Sequence, residues 1–209
     1  MSKRGRIHRV LATAALCGTL AITLQGCVEM AVGTAVVGTL AATDRRTFGA
    51  QTEDKTILFK GETRLSKLTG EGGHVNVTSF NRRVLLTGEV KDEAMKQAAE
   101  REMASIEGVL SVVNDLEVMP PSSLASRSND ALITGKVKAS FVDTKELSAN
   151  AIKVVTERGN VYLMGRVTPR EADIASEVTR GVSGVKKVVR VFEYITDEEL
   201  RRLTNTPAQ

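Results

Sequence analysis

A pattern of alternating apolar and polar residues occurs twice along the chain. In the first occurrence, residues 75–77 and 84–90 alternate as β-strands do, and the polar residues 81–83 separate them. The equivalent parts of the second occurrence are residues 152–154, 161–167 and 158–160. Two alternating runs joined by a short polar turn predict a β-hairpin, so the chain should contain two of them.

An amphipathic helix is predicted after each hairpin, because apolar residues recur there at steps of three and four. These residues are Met95, Ala98, Ala99, Met103 and Ile106 in the first copy and Ala172, Ala175, Val178 and Val182 in the second. A valine-rich strand closes each copy, at residues 109–118 and 185–194, and a further helix precedes each hairpin. The order α-β-β-α-β predicts an α+β fold in which a three-stranded mixed sheet packs on two helices.

The two sets of elements are copies of one another. A shift of 77 residues places Val84 over Val161 and Gly88 over Gly165, and a one-residue deletion then aligns the later Gly-Val pairs. Repetition of a complete set of elements predicts two small domains of the same fold. The Pro-Pro pair at positions 120 and 121 is the natural boundary between them.

The N-terminus has the features of an export signal. A basic stretch precedes an apolar run over residues 10–24 that is too short to span a bilayer comfortably. The run ends in Leu24-Gln25-Gly26-Cys27, which resembles the lipobox of bacterial lipoproteins. This resemblance implies that Cys27 is acylated and that the chain is cut before it, and Val28 after it implies sorting to the outer membrane. Two acyl chains would give a stable membrane anchor.

Each repeat also has the residues that mark a known family. Residues 84–90 and 161–167 both fit the hairpin motif V-x-L-x-G-x-V, and a Gly-Val pair precedes each final strand. The repeats therefore resemble the BON domain, a module of bacterial osmotic-shock and secreted proteins. Together with the lipobox, the chain is similar to a family of dual-BON outer-membrane lipoproteins. That resemblance implies a protein that faces the periplasm, associates with division sites and supports outer-membrane integrity.

The sequence predicts an organisation in six parts. They are a signal peptide (1–26), an acylated tether (27–55), a first BON domain (56–119), a linker (120–127), a second BON domain (128–195) and a tail (196–209). The polar residues 43–55 are expected to be a linker or to pack along the first domain. A short helix through Leu203 is expected in the tail, and no role is assigned to it.

The residues that most catalytic and metal sites need are scarce after the signal peptide. His74 is then the only histidine and Cys27 the only cysteine, so neither a Cys/His zinc site nor a Cys-His nucleophile pair can be built. The acidic residues at 92–93 and 197–199 stand at predicted helix starts, where they stabilise the helix dipole. The sequence therefore predicts no enzyme, no metal site and no cofactor.

The charge of the chain excludes a further class of function, and the net charge differs between the two domains. Without residues 1–26 the chain has 25 basic and 25 acidic side chains, and a neutral chain without Trp lacks the field for nonspecific nucleic-acid binding. Residues 51–119 carry a net charge of −3, whereas residues 128–195 carry +3. This difference favours contact of the second domain with an anionic surface, and it equally favours docking of the two domains.

The helix that opens the second domain has two apolar faces, after a predicted cap at residues 128–130. At 100° per residue, Ile133, Val137 and Phe141 form a core stripe. The opposite side holds Leu132, Gly135, Ala139 and Val142, with Lys136 and Lys138 on its flanks. In the first domain, the equivalent helix has a single predicted stripe, made of Leu58, Gly61, Leu65 and Leu68. An exposed apolar strip bordered by lysines is typical of a helix that inserts shallowly into a membrane, but the strip could equally pack on the first domain or the linker.

The family resemblance implies that this helix binds anionic phospholipid such as phosphatidylglycerol. By alignment, the implied contact residues are Leu132, Lys136, Lys138, Phe141 and Val142. One similar lipoprotein has Trp at the first of these positions, and Leu132 lacks that interfacial aromatic anchor. The main alternative is an adaptor that docks on proteins of an envelope assembly or quality-control machine through the same strip.

Overall fold

A computed structural model of the chain describes residues 44–70 and 73–205. The predicted signal peptide, Cys27 and most of the predicted tether lie outside these described residues. Both repeats belong to one compact unit, residues 43–209. None of the helices in the described ranges is both long enough and apolar enough to cross a membrane.

The first repeat forms a mixed sheet covered by two helices. Its elements are α1 (Phe48–Thr69), β1 (His74–Phe80), β2 (Arg83–Val90), α2 (Glu93–Ala104), β3 (Ser111–Asn114) and β4 (Glu117–Val118). Strand β2 lies in the middle, antiparallel to β1 and parallel to both β3 and β4. The predicted order and the mixed sheet are confirmed, with the last strand divided into two short pieces.

The second repeat has the same order of elements and an uninterrupted last strand. Its elements are α3 (Leu124–Asp143), a 3-10 turn (Ala149–Ala151), β5 (Ile152–Glu157), β6 (Asn160–Val167), α4 (Pro169–Arg180) and β7 (Lys187–Tyr194). Strand β6 pairs antiparallel with β5 and parallel with β7. A final helix, α5 (Asp197–Asn205), confirms the short helix expected in the tail.

Both leading helices begin earlier than the sequence pattern predicts. Helix α1 begins inside the predicted tether, where the Thr47 side chain accepts a hydrogen bond from the Ala50 N–H. Helix α3 begins after Ser123, which caps it in the same way. The predicted cap at residues 128–130 is therefore wrong, because Asp130 lies inside the helix and is buried.

A buried aspartate in each leading helix binds the tip of the following hairpin. Asp54 accepts hydrogen bonds from the N–H groups of Asn81 and Arg82, at 2.8 and 2.7 Å. Asp130 makes the same pair of bonds, both at 2.8 Å, with the turn at 158–159. All four turn residues have positive φ, the conformation of two-residue turns that match the twist of a hairpin. The two carboxylates thus stabilise these turns and hold each hairpin on its helix.

The glycines of the hairpin motif are required by the close approach of another backbone segment. A Cβ atom on Gly88 would lie 2.0 Å from the His74 carbonyl oxygen, and one on Gly165 would lie 2.5 Å from that of Ala151. Gly88 also has a φ of +112°, which other residues rarely adopt. The residues that carry the family resemblance therefore have a steric role in both hairpins.

The two sheets pack against each other through the faces that their helices leave open. Successive residues of a strand point to opposite faces, so Val84 and Leu86 face the helices whereas Leu85 faces the other sheet. The buried residues between the sheets are Phe80, Leu85, Tyr162 and Met164. The Tyr162 hydroxyl donates a 2.7 Å hydrogen bond to Asp115, which lies at the break between β3 and β4.

Residues 44–46 contact both domains. Arg45 donates hydrogen bonds of 2.8 and 2.6 Å to the two oxygens of Glu171 in the second domain. The neighbouring Arg46 pairs with Asp54 of the first domain at 2.7 Å and lies over the ring of Phe80. This segment, expected to be a linker or to pack along the first domain, instead joins the two domains.

Candidate functional site

Helix α3 buries one apolar face and exposes the other. Ile133, Val137 and Phe141 have at most 1% of their surface exposed, whereas Leu132 and Val142 are 65% and 73% exposed. The predicted division of this helix into two apolar faces is confirmed. We call the exposed face the apolar strip, and it consists of Leu132, Gly135, Ala139 and Val142.

Two lysines border the apolar strip, and both Lys136 and Lys138 are exposed. Gly135 lies between the two large apolar residues and has no side chain. A Cβ atom there would meet no atom within 4 Å, so this part of the strip is open to solvent. No residue of the described ranges covers the strip, because Leu132 and Val142 remain mostly in solvent. For this part of the chain, the alternative that the strip packs against the first domain or the linker is wrong.

Polar contacts hold helix α3 on the rest of the domain and so set the direction of the strip. Asp130 binds the hairpin turn, and one turn later the Thr134 hydroxyl donates to that of Thr156 at 2.7 Å. These bonds and the core stripe keep the apolar strip on the solvent side.

Phe141 is not part of the exposed surface. Its side chain has no exposed area and packs in the core of the second domain with Ile133 and Val137. A contact between Phe141 and a ligand on the surface would require the core to open. We therefore omit it from the contact surface implied by the family resemblance, which leaves Leu132, Lys136, Lys138 and Val142.

The sequence pattern missed two exposed aromatic residues on helix α1. Phe48 and Phe59 are 82% and 72% exposed. They are three turns apart and so lie on the same face of the helix. The buried stripe of α1 is centred on Ile57 and Gly61 rather than on Leu58, and a stripe placed on Ile57 would have put Phe59 on the exposed side.

One group of side chains in the described ranges could hold a metal ion. His74, Glu89 and Glu157 each offer a ligand atom that lies within 4.8 Å of the other two. The sequence predicts no metal site because it has one histidine and one cysteine after the signal peptide, and no spacing groups its carboxylates with that histidine. The fold brings these three residues together from separate strands, at a place distinct from the apolar strip.

Comparison with known proteins identifies the family. Residues 59–120 and 129–196 each match the BON domain. The chain is 40% identical over 177 residues to the outer membrane lipoprotein DolP of Haemophilus influenzae, which covers 83% of this chain and 91% of that protein. It is 33% identical over 154 residues to the 21 kDa hemolysin of Actinobacillus pleuropneumoniae, with 73% and 79% covered. It is 29% identical over 117 residues to the osmotically-inducible protein Y of Escherichia coli, with 54% and 58% covered. Two BON domains and the similarity to DolP over most of both chains show that this chain belongs to the DolP-like, dual-BON outer membrane lipoproteins.

Proposed function

We propose that the chain is an outer-membrane-anchored lipoprotein that faces the periplasm and binds anionic phospholipid through the apolar strip. Acylated Cys27 holds the chain on the membrane, and helix α3 then contacts lipid directly. In this proposal the protein supports outer-membrane integrity at division sites and catalyses no reaction. Its membership of a family of outer membrane lipoproteins supports the membrane location.

The observation that carries this proposal is the exposure of Leu132 and Val142 beside Lys136 and Lys138. Apolar side chains gain about 25 cal/mol per Å² when they leave water, so both favour entry into the acyl region. Each lysine near an anionic surface contributes about 1 kcal/mol, and its long side chain lets the ammonium stay at headgroup level. The combination favours anionic over neutral lipid.

Flotation with lipid vesicles tests the proposal. The protein should be residues 28–209, because without Cys27 no acyl chain can bind the vesicles. Both domains are needed, since the second domain alone would uncover Tyr162 and Met164, which are buried between the sheets. We expect flotation with vesicles that contain phosphatidylglycerol and none with neutral phosphatidylcholine vesicles. Added salt should weaken the binding, because it screens the lysines.

Variants of the apolar strip assign the binding to helix α3. Leu132→Glu and Val142→Glu should each abolish flotation and keep the thermal unfolding transition, because neither side chain lies in the core. Thr56→Glu adds the same charge to the exposed face of α1 and is the matched control, which should float as the unmodified chain does.

Two results would contradict the proposal. Retained flotation of both glutamate variants would show that the strip is not the binding site. If the unmodified chain floats with neither kind of vesicle, the lipid proposal fails. Binding to envelope assembly proteins in detergent, without anionic lipid, would then support the adaptor alternative.

A further inference from the structure

Three side chains from both domains meet at one point of the domain interface. His74 begins β1, Glu89 lies near the end of β2, and Glu157 ends β5. His74 and Glu89 are direct partners in the first hairpin, and His74 Nδ1 lies 3.2 Å from Glu89 Oε2. The first hairpin therefore supplies two of the three side chains, and docking of the second domain brings Glu157 to them.

The group holds negative charge away from solvent. Glu89 has no exposed surface and Glu157 has 5%. Arg158 supplies one compensating charge, 3.4 Å from Glu89, but it is shared with Glu117 at 3.6 Å. A cation placed between the two carboxylates would lower the electrostatic energy of the interface.

Both carboxylates are oriented as metal ligands are. Asn76 Nδ2 donates to Glu157 Oε2 at 2.8 Å, and an Arg158 nitrogen lies 3.4 Å from Glu89 Oε1. The second oxygen of Glu157 remains to bind a cation. The second oxygen of Glu89 pairs with His74 Nδ1 at 3.2 Å, and a cation would take the place of the proton in this pair. Outer hydrogen bonds of this kind orient the ligands of metal sites.

Solvent access and ligand type indicate the class of cation. A crevice of about 360 Å³ opens beside the group and is lined by His74, Glu157 and residues of α3 and β5. One imidazole and two carboxylates suit zinc and similar transition metals, whereas magnesium and calcium prefer oxygen ligands alone. Two ligands on a tetrahedral zinc, each bonded at about 2.0–2.1 Å, lie about 3.4 Å apart, close to the observed separation of His74 and Glu89.

We propose that His74, Glu89 and Glu157 form a site for a divalent transition-metal cation of the zinc class at the junction of the two domains. The cation joins the hairpin of the first domain to β5 of the second, and water from the crevice completes its coordination. The site is separate from the apolar strip and does not depend on lipid binding.

Calorimetric titration of the mature lipoprotein in detergent tests the site. Zinc sulfate should saturate one site per chain with a Kd on the order of micromolar, and magnesium chloride should show no binding. His74 is the only histidine of the mature chain, so its ring nitrogen resonances report directly on the metal. They should shift when zinc is added. Absence of saturable zinc binding, or an unshifted His74 ring at saturation, would overturn the proposal.

Ligand variants identify the residues involved. His74→Asn and Glu157→Gln each remove one ligand and keep hydrogen-bonding capacity, so each should weaken zinc binding at least about tenfold. Glu107→Gln removes an exposed carboxylate of the first domain and is the matched control, with unchanged affinity. Melting curves without zinc show whether the variants fold. If Glu157→Gln does not fold, the His74→Asn variant is the test, because His74 is partly exposed. Unchanged zinc affinity in a folded His74→Asn variant would overturn the site.

Discussion

The leading helices α1 and α3 have equivalent buried faces and different exposed faces. With a shift of 76 residues, the buried residues Ile57, Gly61 and Leu65 correspond to Ile133, Val137 and Phe141. On the exposed side, the same shift pairs Thr56 with Leu132, Glu62 with Lys138, and Ser66 with Val142. The fold constrains only the buried stripe. A difference confined to the exposed face therefore points to a difference in what each domain binds.

The net charges of the two domains also indicate that the domains bind different partners. Opposite net charges are compatible with docking of the domains and with contact between the second domain and an anionic surface. Docking uses the open sheet faces, where Asn76 binds Glu157 at 2.8 Å and Asn81 binds Glu193 at 2.7 Å. The apolar strip lies on the helix side of its sheet and stays exposed. Docking thus leaves the strip available for a second interaction.

Removal of the aspartate that joins helix to hairpin should have the largest effect, and it should differ between the domains. Asp54→Ala leaves two backbone N–H groups and the buried Ser79 hydroxyl without their acceptor and breaks the ion pair with the partly buried Arg46, which should cost about 3–5 kcal/mol of unfolding free energy. Asp130→Ala removes two backbone hydrogen bonds and should cost about 2–3 kcal/mol. Urea unfolding measures both. If Asp130→Ala costs as much as Asp54→Ala, the contacts of Asp54 with Ser79 and Arg46 contribute nothing.

Exchange of the exposed residues between the two helices should move lipid binding from one domain to the other. A chain with Leu132→Thr, Lys138→Glu and Val142→Ser has the α1 residues at these three positions of α3. We expect at least about 100-fold weaker binding to phosphatidylglycerol vesicles, because two apolar side chains and one cation are lost.

The reciprocal exchange is the control for this prediction. Thr56→Leu, Glu62→Lys and Ser66→Val, made in the exchanged chain, should restore part of the affinity. Equal affinity of the exchanged and original chains would show that the difference between the two exposed faces has no role in binding lipid.

The parts of this structure that depend on local periodicity could be predicted from the sequence. The hairpins follow from alternation, and the two faces of α3 follow from the 100° step once Ile133 is taken as buried. The hairpin motif could be recognised because Gly88 and Gly165 are required by backbone contacts. The repeat reinforced each of these predictions, because the same pattern occurred twice.

The parts that depend on distant contacts could not be predicted in this way. Asp130 resembled a helix cap because its real partners lie 28 and 29 residues later, in the hairpin turn. Arg45 stood in an ordinary polar segment, and its partner Glu171 is 126 residues away. Glu89 and Glu157 belong to strands of different domains, so no spacing in the sequence marks them as one group with His74. Only the packing of the two domains creates these pairs.

At two equivalent core positions, the first domain has a small and a large side chain where the second has a larger and a smaller one. Exchange of these residues tests whether the two positions compensate for each other. Gly61 and Met103 in the first domain correspond to Val137 and Thr179 in the second. A Cβ atom on Gly61 would lie 2.6 Å from Met103 Cε, so Gly61→Val should cost about 1–3 kcal/mol. The double variant with Met103→Thr should cost clearly less than the sum of the two single variants. Additive costs in urea unfolding would show that the two positions do not compensate for each other.

The smallest expected effect is on the unfolding free energy at acid pH. It again distinguishes equivalent positions of the two domains. Glu171 is the third residue of α4, and Met95 has the same place in α2. Burial raises the pKa of Glu171, but hydrogen bonds from Arg45 and Thr168 outweigh it, so the pKa in the folded chain lies below its usual 4.5. The stabilisation by ionised Glu171 is therefore complete above pH 4.5 and is lost as the pH falls through the folded-state pKa.

Glu171→Gln should consequently flatten the dependence of unfolding free energy on pH below about pH 5. The slope should change by less than about 1.4 kcal/mol per pH unit, which is the value for one bound proton. The dependence above about pH 6 should not change, because Glu171 is ionised there in both the folded and the unfolded chain. Met95→Leu is the control: it alters a non-titrating residue in the same place of α2 while keeping the core apolar, and it should leave the slope unchanged throughout. If Glu171→Gln also leaves the acid slope unchanged, the bonds from Arg45 do not favour the ionised carboxylate. The segment at residues 44–46 would then hold the second domain through the hydrogen bonds in which Arg45 and Arg166 each donate to the other's carbonyl, rather than through the ion pair with Glu171.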